Sequence, residues 1–388
     1  MANTFKFGNK NWAVKKDSVL AYNDENNNFK PLPFDFTRDS TATYVDSDGL
    51  IKTAGQGEAR IDYLDNADGH LLLEPARTNL VTYSEDFSNA AWVKFNTTIT
   101  ANTVVSPDGT QTADRIESTN ASHLVYFQST VIASTKYTFS YFFKEGTKDS
   151  VKVAFYDNTA NSFITQDATQ ETVDYGNGWK RIIATVTTPS GCVLLNSYLD
   201  RSSGIGTFYA WGAQLEEGYA TSYIPTEGSS VTRSADACSG AGNSEVFNDS
   251  EGVLYAEISA LSNDLTFRLI TLSDGTTNNR ISFGYRNTSN AIYCEIRNAS
   301  VTQAFLLGYS EDIKNLSKVA VKYKENDFAL WINGVEVATD SSGITPLNLN
   351  KLTFDSGQQS GSFFYGNAKD VRVYNTALTD SELETLTT

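Results

Sequence analysis

Short runs in which apolar and polar residues alternate, separated by tight-turn signals, constrain the fold of this chain most strongly. Residues 137–143, 181–186 and 319–323 show the two-residue period of strands that bury one face. Asn-Gly pairs at 177–178 and 333–334 tolerate the positive φ angles that two-residue hairpin turns require. Because such strands recur with almost no helical period, we predict an all-β fold: two antiparallel β-sandwich (jelly-roll) domains after an irregular N-terminal segment.

Local signals predict one hairpin and one helix in the last part of the chain. The hairpin covers residues 328–337, with the Asn-Gly pair at 333–334 as its turn. The helix begins after Thr379, which can act as the N-cap, and Glu382 three residues later can complete a capping box. The leucines that follow would then face the preceding sheet.

Composition excludes several classes of function. The 388 residues include 30 Lys and Arg and 46 Asp and Glu, which gives a net charge of −16. With this charge and no basic cluster, we expect no nucleic-acid binding. No stretch approaches the length of a membrane-spanning helix, so we expect no membrane insertion. We also expect synthesis in a reducing cytoplasm, because the N-terminus lacks an apolar signal region and three widely spaced cysteines suit ordinary free thiols.

Composition along the chain predicts four consecutive ranges. Residues 1–78 are irregular and include an Asn-rich stretch, and residues 79–225 form a first block of strands. Residues 226–245 are small and polar, as in a linker, and residues 246–388 form a second block of strands.

The second block resembles the concanavalin A-like or laminin G-like jelly roll. The segments that carry this resemblance are 252–258, 318–323, 329–337 and 366–383. It implies two packed antiparallel sheets and, in many relatives, glycan binding.

The first block of strands resembles the β-sandwich of carbohydrate-binding modules. The residues that carry this resemblance lie at 79–92, 178–181 and 208–218. It implies a second sandwich of lectin type.

The N-terminal range resembles a segment near the start of bacteriophage virion proteins. Residues 34–43, 48–51 and 71–80 carry this resemblance. The three-part order is similar to a tail- or head-fibre protein, which implies a fibre, spike or decoration subunit located in the virion. The implied partners are other virion proteins, a host cell-surface polysaccharide and sister chains, with a trimer favoured because avidity multiplies weak glycan affinity. The N-terminal range would anchor the chain or contact sister chains; alternatively, it packs as a strap against the middle block.

Sequence motifs predict no catalytic residue. Catalytic relatives of the jelly roll commonly carry Glu-x-Asp-x-Glu on one strand, and this chain has no such motif. The most similar sequence, at 380–384, falls in the predicted helix. Glu216 and Glu217 are adjacent, so a strand would turn them to opposite faces. Two alternatives remain open: a virion-associated polysaccharide depolymerase whose carboxylates converge from distant segments, and a decoration protein that binds no sugar.

Aromatic and polar side chains are the candidates for glycan binding, because sugars stack on rings and hydrogen-bond to amide, carboxylate and guanidinium groups. The candidates are Tyr126, Tyr141, Tyr156 and Tyr198 in the middle block and Tyr285, Arg286, Tyr293 and Arg297 in the last block. The alternative for each tyrosine is a place in a sandwich core. Four tryptophans are predicted to be core residues, namely Trp92, Trp179, Trp211 and Trp331.

A structural calcium ion is the one cofactor that the resemblance suggests. Carbohydrate-binding sandwiches often hold Ca²⁺ through oxygen ligands. Glu85, Asp86 and Glu217 lie in the segments that the family would use for it.

Overall fold

Antiparallel sheets make up almost all regular structure in the computed structural model, which describes residues 4–23, 30–358 and 361–388. The predicted all-β class is therefore confirmed. The Asn-rich stretch at 24–28 lies outside the described residues. The described part of the chain forms no helix long and apolar enough to cross a membrane.

The strands follow one another along the chain with short connections. Those of the first eighty residues are β1 Phe5–Gly8, β2 Val14–Lys15, β3 Ser18–Val19, β4 Tyr22–Asn23, β5 Lys30–Pro31, β6 Phe34–Thr37, β7 Ala42–Val45, β8 Ile51–Ala54, β9 Arg60–Asp62, β10 His70–Leu73 and β11 Arg77–Asn79. The next are β12 Trp92–Phe95, β13 Thr97–Val104, β14 Ala113–Ser118, β15 Leu124–Thr130, β16 Lys136–Glu145, β17 Ala154–Asp157, β18 Ser162–Thr165, β19 Gln170–Asp174, β20 Trp179–Thr187, β21 Leu194–Tyr198 and β22 Gly206–Glu217. The last are β23 Val231–Arg233, β24 Ala237–Ser239, β25 Glu251–Ala260, β26 Arg268–Ser273, β27 Arg280–Tyr285, β28 Ala291–Asn298, β29 Val301–Tyr309, β30 Ser317–Lys324, β31 Phe328–Ile332, β32 Val335–Asp340, β33 Lys351–Thr353 and β34 Gly366–Tyr374, before helix α1 Asp380–Thr387.

The chain divides into two compact units that are each discontinuous in sequence. Unit 1 contains Met1–Asp39, Ala54–Pro75 and Ala235–Thr388, and unit 2 contains Ser40–Thr53 and Ala76–Ser234. This division differs from the four consecutive ranges that composition predicts. The reason is that strand pairing joins segments that are far apart in sequence, which composition along the chain does not reveal.

Unit 1 is a sandwich built on two main sheets. The larger sheet has the order β32-β31-β30-β25-β34-β1-β4-β5, and β10 and β9 extend it beside β34. The second sheet has the order β29-β28-β27-β26-β33. Their facing side chains form one core, in which Leu254 and Val321 of the larger sheet and Ile270 and Phe283 of the smaller one are fully buried.

The local predictions for the hairpin and the helix are confirmed. Strands β31 and β32 pair across Asn333 and Gly334, whose φ angles of 47° and 81° are those of a two-residue hairpin turn. The Thr379 side chain accepts a hydrogen bond from the backbone of Glu382, and the Glu382 side chain accepts one from the backbone of Thr379. Leu383 and Leu386 of α1 pack on the outer face of the larger sheet, as the spacing predicts.

The N-terminal range and the predicted linker contribute strands to unit 1. Strand β1 pairs with β34, with Phe5 opposite Val373, and Phe5 is fully buried in the unit 1 core. In the predicted linker, β24 pairs with β6, with Cys238 opposite Phe36. These polar segments can form strands of unit 1 because single apolar residues, such as Phe5 and Cys238, lie on the buried side of each short strand.

Unit 2 is a second sandwich of two antiparallel sheets. One has the order β12-β15-β21-β17-β18, and the other has the order β13-β14-β22-β16-β20-β19. Phe155 and Leu195 of the first sheet meet Phe139 and Leu215 of the second in a fully buried core.

Buried aromatic and thiol groups follow the sequence predictions. The four tryptophans predicted as core residues, Trp92, Trp179, Trp211 and Trp331, are all buried. The three cysteines, Cys192, Cys238 and Cys294, are buried free thiols.

Candidate functional site

Strand alternation places tyrosines on the outer face of the five-stranded sheet of unit 2. In β15, Val125 and Phe127 point into the core, and the half-buried Tyr126 between them points outward. In β17 the same alternation buries Phe155 and turns Tyr156 outward. The sheet therefore presents rings on its solvent side while its inner side fills the core.

The strand register brings these rings together. Tyr126 lies opposite Tyr198 of β21, and their ring centroids are 4.8 Å apart. Phe163 of β18 lies between the other two tyrosines, 5.0 Å from Tyr156 and 6.0 Å from Tyr198. We call these four residues, Tyr126, Tyr156, Phe163 and Tyr198, the tyrosine face. Three of them were predicted as glycan contacts, whereas Phe163 was not.

Apolar side chains of β12 continue the tyrosine face. Val93 lies opposite Tyr126 in the sheet, and Phe95 lies two residues further on. Both are about half exposed, at 41% and 56%. Neither residue was predicted from the sequence, although the signal was present: once Trp92 is assigned to the core, alternation turns Val93 and Phe95 outward.

Polar groups surround the rings at hydrogen-bonding positions. Gln128 Nε2 donates to Asn196 Oδ1 (3.0 Å), and both side chains lie on the outer face beside Tyr126 and Tyr198. The guanidinium of Arg201 lies over the rings of Phe163 and Tyr198, 5.4 and 5.5 Å from their centroids. Rings that accept sugar C–H groups, next to amides and a guanidinium that can bind hydroxyls, match the chemistry of a saccharide surface.

A buried ionic cluster holds the segment that carries Arg201. Asp200 Oδ2 accepts hydrogen bonds from Lys148 Nζ (2.6 Å) and lies 3.2 Å from His123 Nε2. Burial alone would raise the pKa of Asp200, but hydrogen bonds from His123 and Lys148 lower it well below its usual range. Since Asp200 also accepts from the backbone of Ser202, both neighbours of Arg201 in the chain are fixed.

Unit 1 carries a smaller aromatic patch on its five-stranded sheet. Arg286 lies over Tyr293 of β28 and Phe305 of β29, 5.7 and 5.4 Å from the two ring centroids. Phe267 contacts Tyr293 edge-on at 5.9 Å, and Phe305 is 48% exposed. Burial raises the pKa of Tyr293 to about 12, so its hydroxyl stays neutral and can donate a hydrogen bond. We call these four residues the Arg286 patch.

Two predicted tyrosines lie in cores and cannot stack on a ligand. Tyr141 is fully buried and its hydroxyl donates to the carbonyl oxygen of Leu199 (2.7 Å). Tyr285 is buried beside Phe364, at a centroid distance of 6.0 Å. Strands β16 and β27, which carry these tyrosines, are buried on both faces, so alternation could not distinguish ligand-facing from core-facing rings.

Arg297 lies at the end of β28, away from the rings of the Arg286 patch. Its Nη2 donates to the carbonyl oxygen of Ser300 (2.8 Å), and its Nε lies 3.9 Å from Glu295. These contacts stabilise the turn between β28 and β29. Arg286 and Tyr293, which were also predicted as glycan contacts, do contact each other.

The three proposed calcium ligands are not brought together. Glu85 and Asp86 line one cavity, and Glu217 lines a different one. Glu85 accepts a hydrogen bond from the hydroxyl of Tyr223 (2.8 Å), and burial raises its pKa. Among the described residues, no group of three or more His, Cys, Asp and Glu side chains is placed to hold a metal ion. These residues therefore do not fit the ion.

The adjacent glutamates of β22 point to opposite sides, as alternation predicts. Glu216 is fully buried and accepts hydrogen bonds from Thr221 and Gln214, and burial raises its pKa. Glu217 is exposed. The two carboxylates therefore do not form a pair across a cleft of the kind that glycoside hydrolysis requires.

Comparison with known proteins finds a family model that matches the last part of the chain. Residues 243–384 match the model of a family described as the concanavalin A-like lectin/glucanases superfamily, in agreement with the predicted resemblance. None of the curated proteins matches the chain.

Several solved structures are similar to this chain. The CBM40 module of the Ruminococcus gnavus IT-sialidase shows 19% identity, covers 39% of this chain and 94% of that one, and gives a TM-score of 0.33. Domains LG4-5 of the mouse laminin α1 chain show 8% identity, with 67% and 89% coverage and a TM-score of 0.27. The tandem CBM22 domains of Paenibacillus barcinonensis Xyn10C show 12% identity, with 79% and 100% coverage and a TM-score of 0.29.

Proposed function

We propose that this chain is a structural protein of a bacteriophage virion that binds a host cell-surface polysaccharide without cleaving it. The observation that carries the binding part of this proposal is the tyrosine face of unit 2. The half-buried rings of Tyr126, Tyr156 and Phe163 lie around the buried ring of Tyr198 on the outer face of one sheet, and amide and guanidinium groups lie beside them. Support for a place in the virion, as a fibre, spike or decoration subunit, comes from the resemblance of the N-terminal range.

The tyrosine face suits the binding of an extended saccharide rather than of a small, enclosed ligand. Its rings come from three neighbouring strands and from β18 at the sheet edge, so they form a surface along which a polymer can lie. Stacking provides apolar contact, and the exposed Gln128 and half-buried Arg201 provide directional hydrogen bonds.

Affinity electrophoresis through gels that contain purified capsular polysaccharides and lipopolysaccharide O-antigens tests the binding proposal. Tyr126→Ala and Tyr156→Ala remove half-buried rings and should each weaken the affinity of one chain about tenfold, a loss typical of a central contact, and weaken retention by at least that factor. Tyr209→Ala removes a half-buried tyrosine from the other sheet of unit 2 and should leave retention unchanged. Equal retention of all four proteins, or retention of none, would contradict the proposal.

The same polysaccharides separate binding from depolymerisation. A non-catalytic protein leaves the number of reducing ends constant during long incubation with any polysaccharide that it retains. Release of new reducing ends would favour the depolymerase alternative and would contradict the non-catalytic part of the proposal.

A further inference from the structure

The same arrangement of one guanidinium over two aromatic rings occurs in both units. In unit 2, Arg201 lies 5.4 and 5.5 Å from the ring centroids of Phe163 and Tyr198. In unit 1, Arg286 lies 5.7 and 5.4 Å from those of Tyr293 and Phe305. Each arginine is half-buried and lies on the solvent side of a sheet. The repetition in two unlike sequences points to a shared ligand chemistry.

Neither of these arginines has an acidic partner among the residues that the structure describes. Arg201 donates one long hydrogen bond, to the carbonyl oxygen of His123 (3.4 Å). The Nε of Arg286 is buried and has no hydrogen-bond partner in the described part of the chain. The Nε of Arg280 is in the same position although Arg280 pairs with a carboxylate, so the missing acidic partner among the described residues is what distinguishes Arg286. A half-buried guanidinium with no carboxylate beside it can offer its Nη donors to an anionic ligand.

Other half-buried or buried arginines of unit 1 do have carboxylate partners. Arg268, Arg280 and Arg372 bind Asp264, Glu295 and Asp370 at 2.7, 2.6 and 2.5 Å. Among the described arginines of unit 1 that lie over aromatic rings, Arg38 and Arg372 pair with carboxylates, whereas Arg286 does not. Guanidinium binds carboxylates with two parallel hydrogen bonds, a geometry that an ammonium group cannot provide.

We infer that the tyrosine face and the Arg286 patch both bind sugars that carry a carboxylate, the hexuronate class of saccharide. The sugar ring would stack on the aromatic side chains while its carboxylate pairs with Arg201 or Arg286. This inference rests on the proposed function, because it names the saccharide class that the same faces take. A net charge of −16 repels long polyanions at a distance, so a short oligosaccharide reports the local contact most directly.

Titration calorimetry of the full chain with tetragalacturonate, and with the same tetrasaccharide after carboxyl reduction, tests the inference. We expect the acidic form to bind at least about tenfold more tightly than the reduced form, the difference that one charge-assisted pair supplies. Arg201→Gln and Arg286→Gln should each remove this preference at one of two sites, and the double variant should abolish it. Arg115→Gln is the control, since Arg115 pairs with Glu117 on the other sheet of unit 2.

The outcomes separate the inference from the proposed function. Equal binding of the two tetrasaccharides, or binding of neither, overturns the inference, while gel retention of polysaccharides that depends on Tyr126 still supports glycan binding. An undiminished preference in the double variant also overturns it. If acetate at equal carboxylate concentration displaces the tetrasaccharide, the guanidinium binds carboxylates without the sugar, and the hexuronate assignment is wrong.

Discussion

Asp236 is the centre of a fully buried ionic network in unit 1. Its carboxylate pairs with Arg38 (3.0 Å) and with Arg60, and it also accepts a hydrogen bond from the backbone N–H of Glu74 (2.8 Å). Arg60 in turn pairs with Glu74 at 2.6 Å. Burial alone would lower the pKa of Arg60, but the charges of Asp236 and Glu74 raise it above its usual value. One side chain thus connects three segments of the chain that are far apart in sequence.

Removing Asp236 should destabilise unit 1 strongly. Asp236→Ala removes the buried carboxylate that pairs with both Arg38 and Arg60, and removing one partner of a buried ion pair typically costs about 3–5 kcal/mol. Urea unfolding should show this loss as a lower midpoint. Glu336→Ala, at an exposed position on β32, is the control and should shift the midpoint little. A midpoint unchanged by Asp236→Ala would contradict this account.

Asp114 predicts a pH dependence of stability in unit 2. It is buried and accepts hydrogen bonds from the backbone N–H groups of Phe87 and Asn102, each at 3.0 Å, and burial raises its pKa to about 6. Because the folded-state pKa lies above the unfolded value, the folded protein binds more protons. This contribution to stability is therefore complete below about pH 4 and is lost as the pH rises through about 6.

The Asp114→Asn variant isolates this contribution. Its free energy of unfolding relative to wild type should rise between pH 4.5 and pH 7, because only the wild type loses a proton there. Asp46→Asn, a turn carboxylate that is more exposed to solvent, serves as the control and should give a smaller change. A variant–wild-type difference that is independent of pH would show that Asp114 titrates normally.

Strand β1 is the element whose position the sequence did not reveal. Phe7 lies in the unit 1 core, 5.2 Å from the ring of Phe34 and 5.3 Å from that of Trp12, measured between centroids. Its strand pairs with β34 near the other end of the chain. Hairpins and caps are encoded within a few residues, so β31, β32 and α1 could be predicted, whereas a pairing over some 360 residues has no local signature.

Truncating the β1 core side chain tests whether this strand is part of the fold. Phe7→Ala removes a fully buried ring and should destabilise unit 1 by about 3–5 kcal/mol. Lys15→Ala on the exposed strand β2 should have little effect. A Phe7→Ala variant as stable as wild type would show that the N-terminal range is dispensable for folding and free for other contacts.

The candidate site could be predicted in part, for a reason that lies in its strands. Tyr126 and Tyr156 alternate with buried residues along their strands, so their outward orientation follows from a two-residue period. Strand β16 is buried on both faces, and a register shift between Ser140 and Phe142 interrupts its pairing with β22, so alternation could not place Tyr141. Convergence of Phe163 and Arg201 on the same face depends on sheet order, which the sequence pattern does not contain.

At the scale of the whole molecule, weak sugar contacts become useful only when several act together. Under the proposed function, a single face with three half-buried rings would give modest affinity, because much of a bound saccharide would remain in water. Linked copies convert later contacts into intramolecular ones and can raise the overall affinity by about 10²–10⁴. The proposed function as a fibre subunit predicts a trimeric assembly whose avidity exceeds the affinity of one chain.

Light scattering at several concentrations measures the mass of the assembly and so tests for a trimer. A trimer of the 42.5-kDa chain should show three times the chain mass at every concentration. Its retention by a bound polysaccharide should fall much more than tenfold when Tyr126→Ala is present in all copies, because the loss multiplies over the linked sites. A concentration-independent monomer with the same retention would contradict avidity and would favour a decoration subunit that assembles only on the particle.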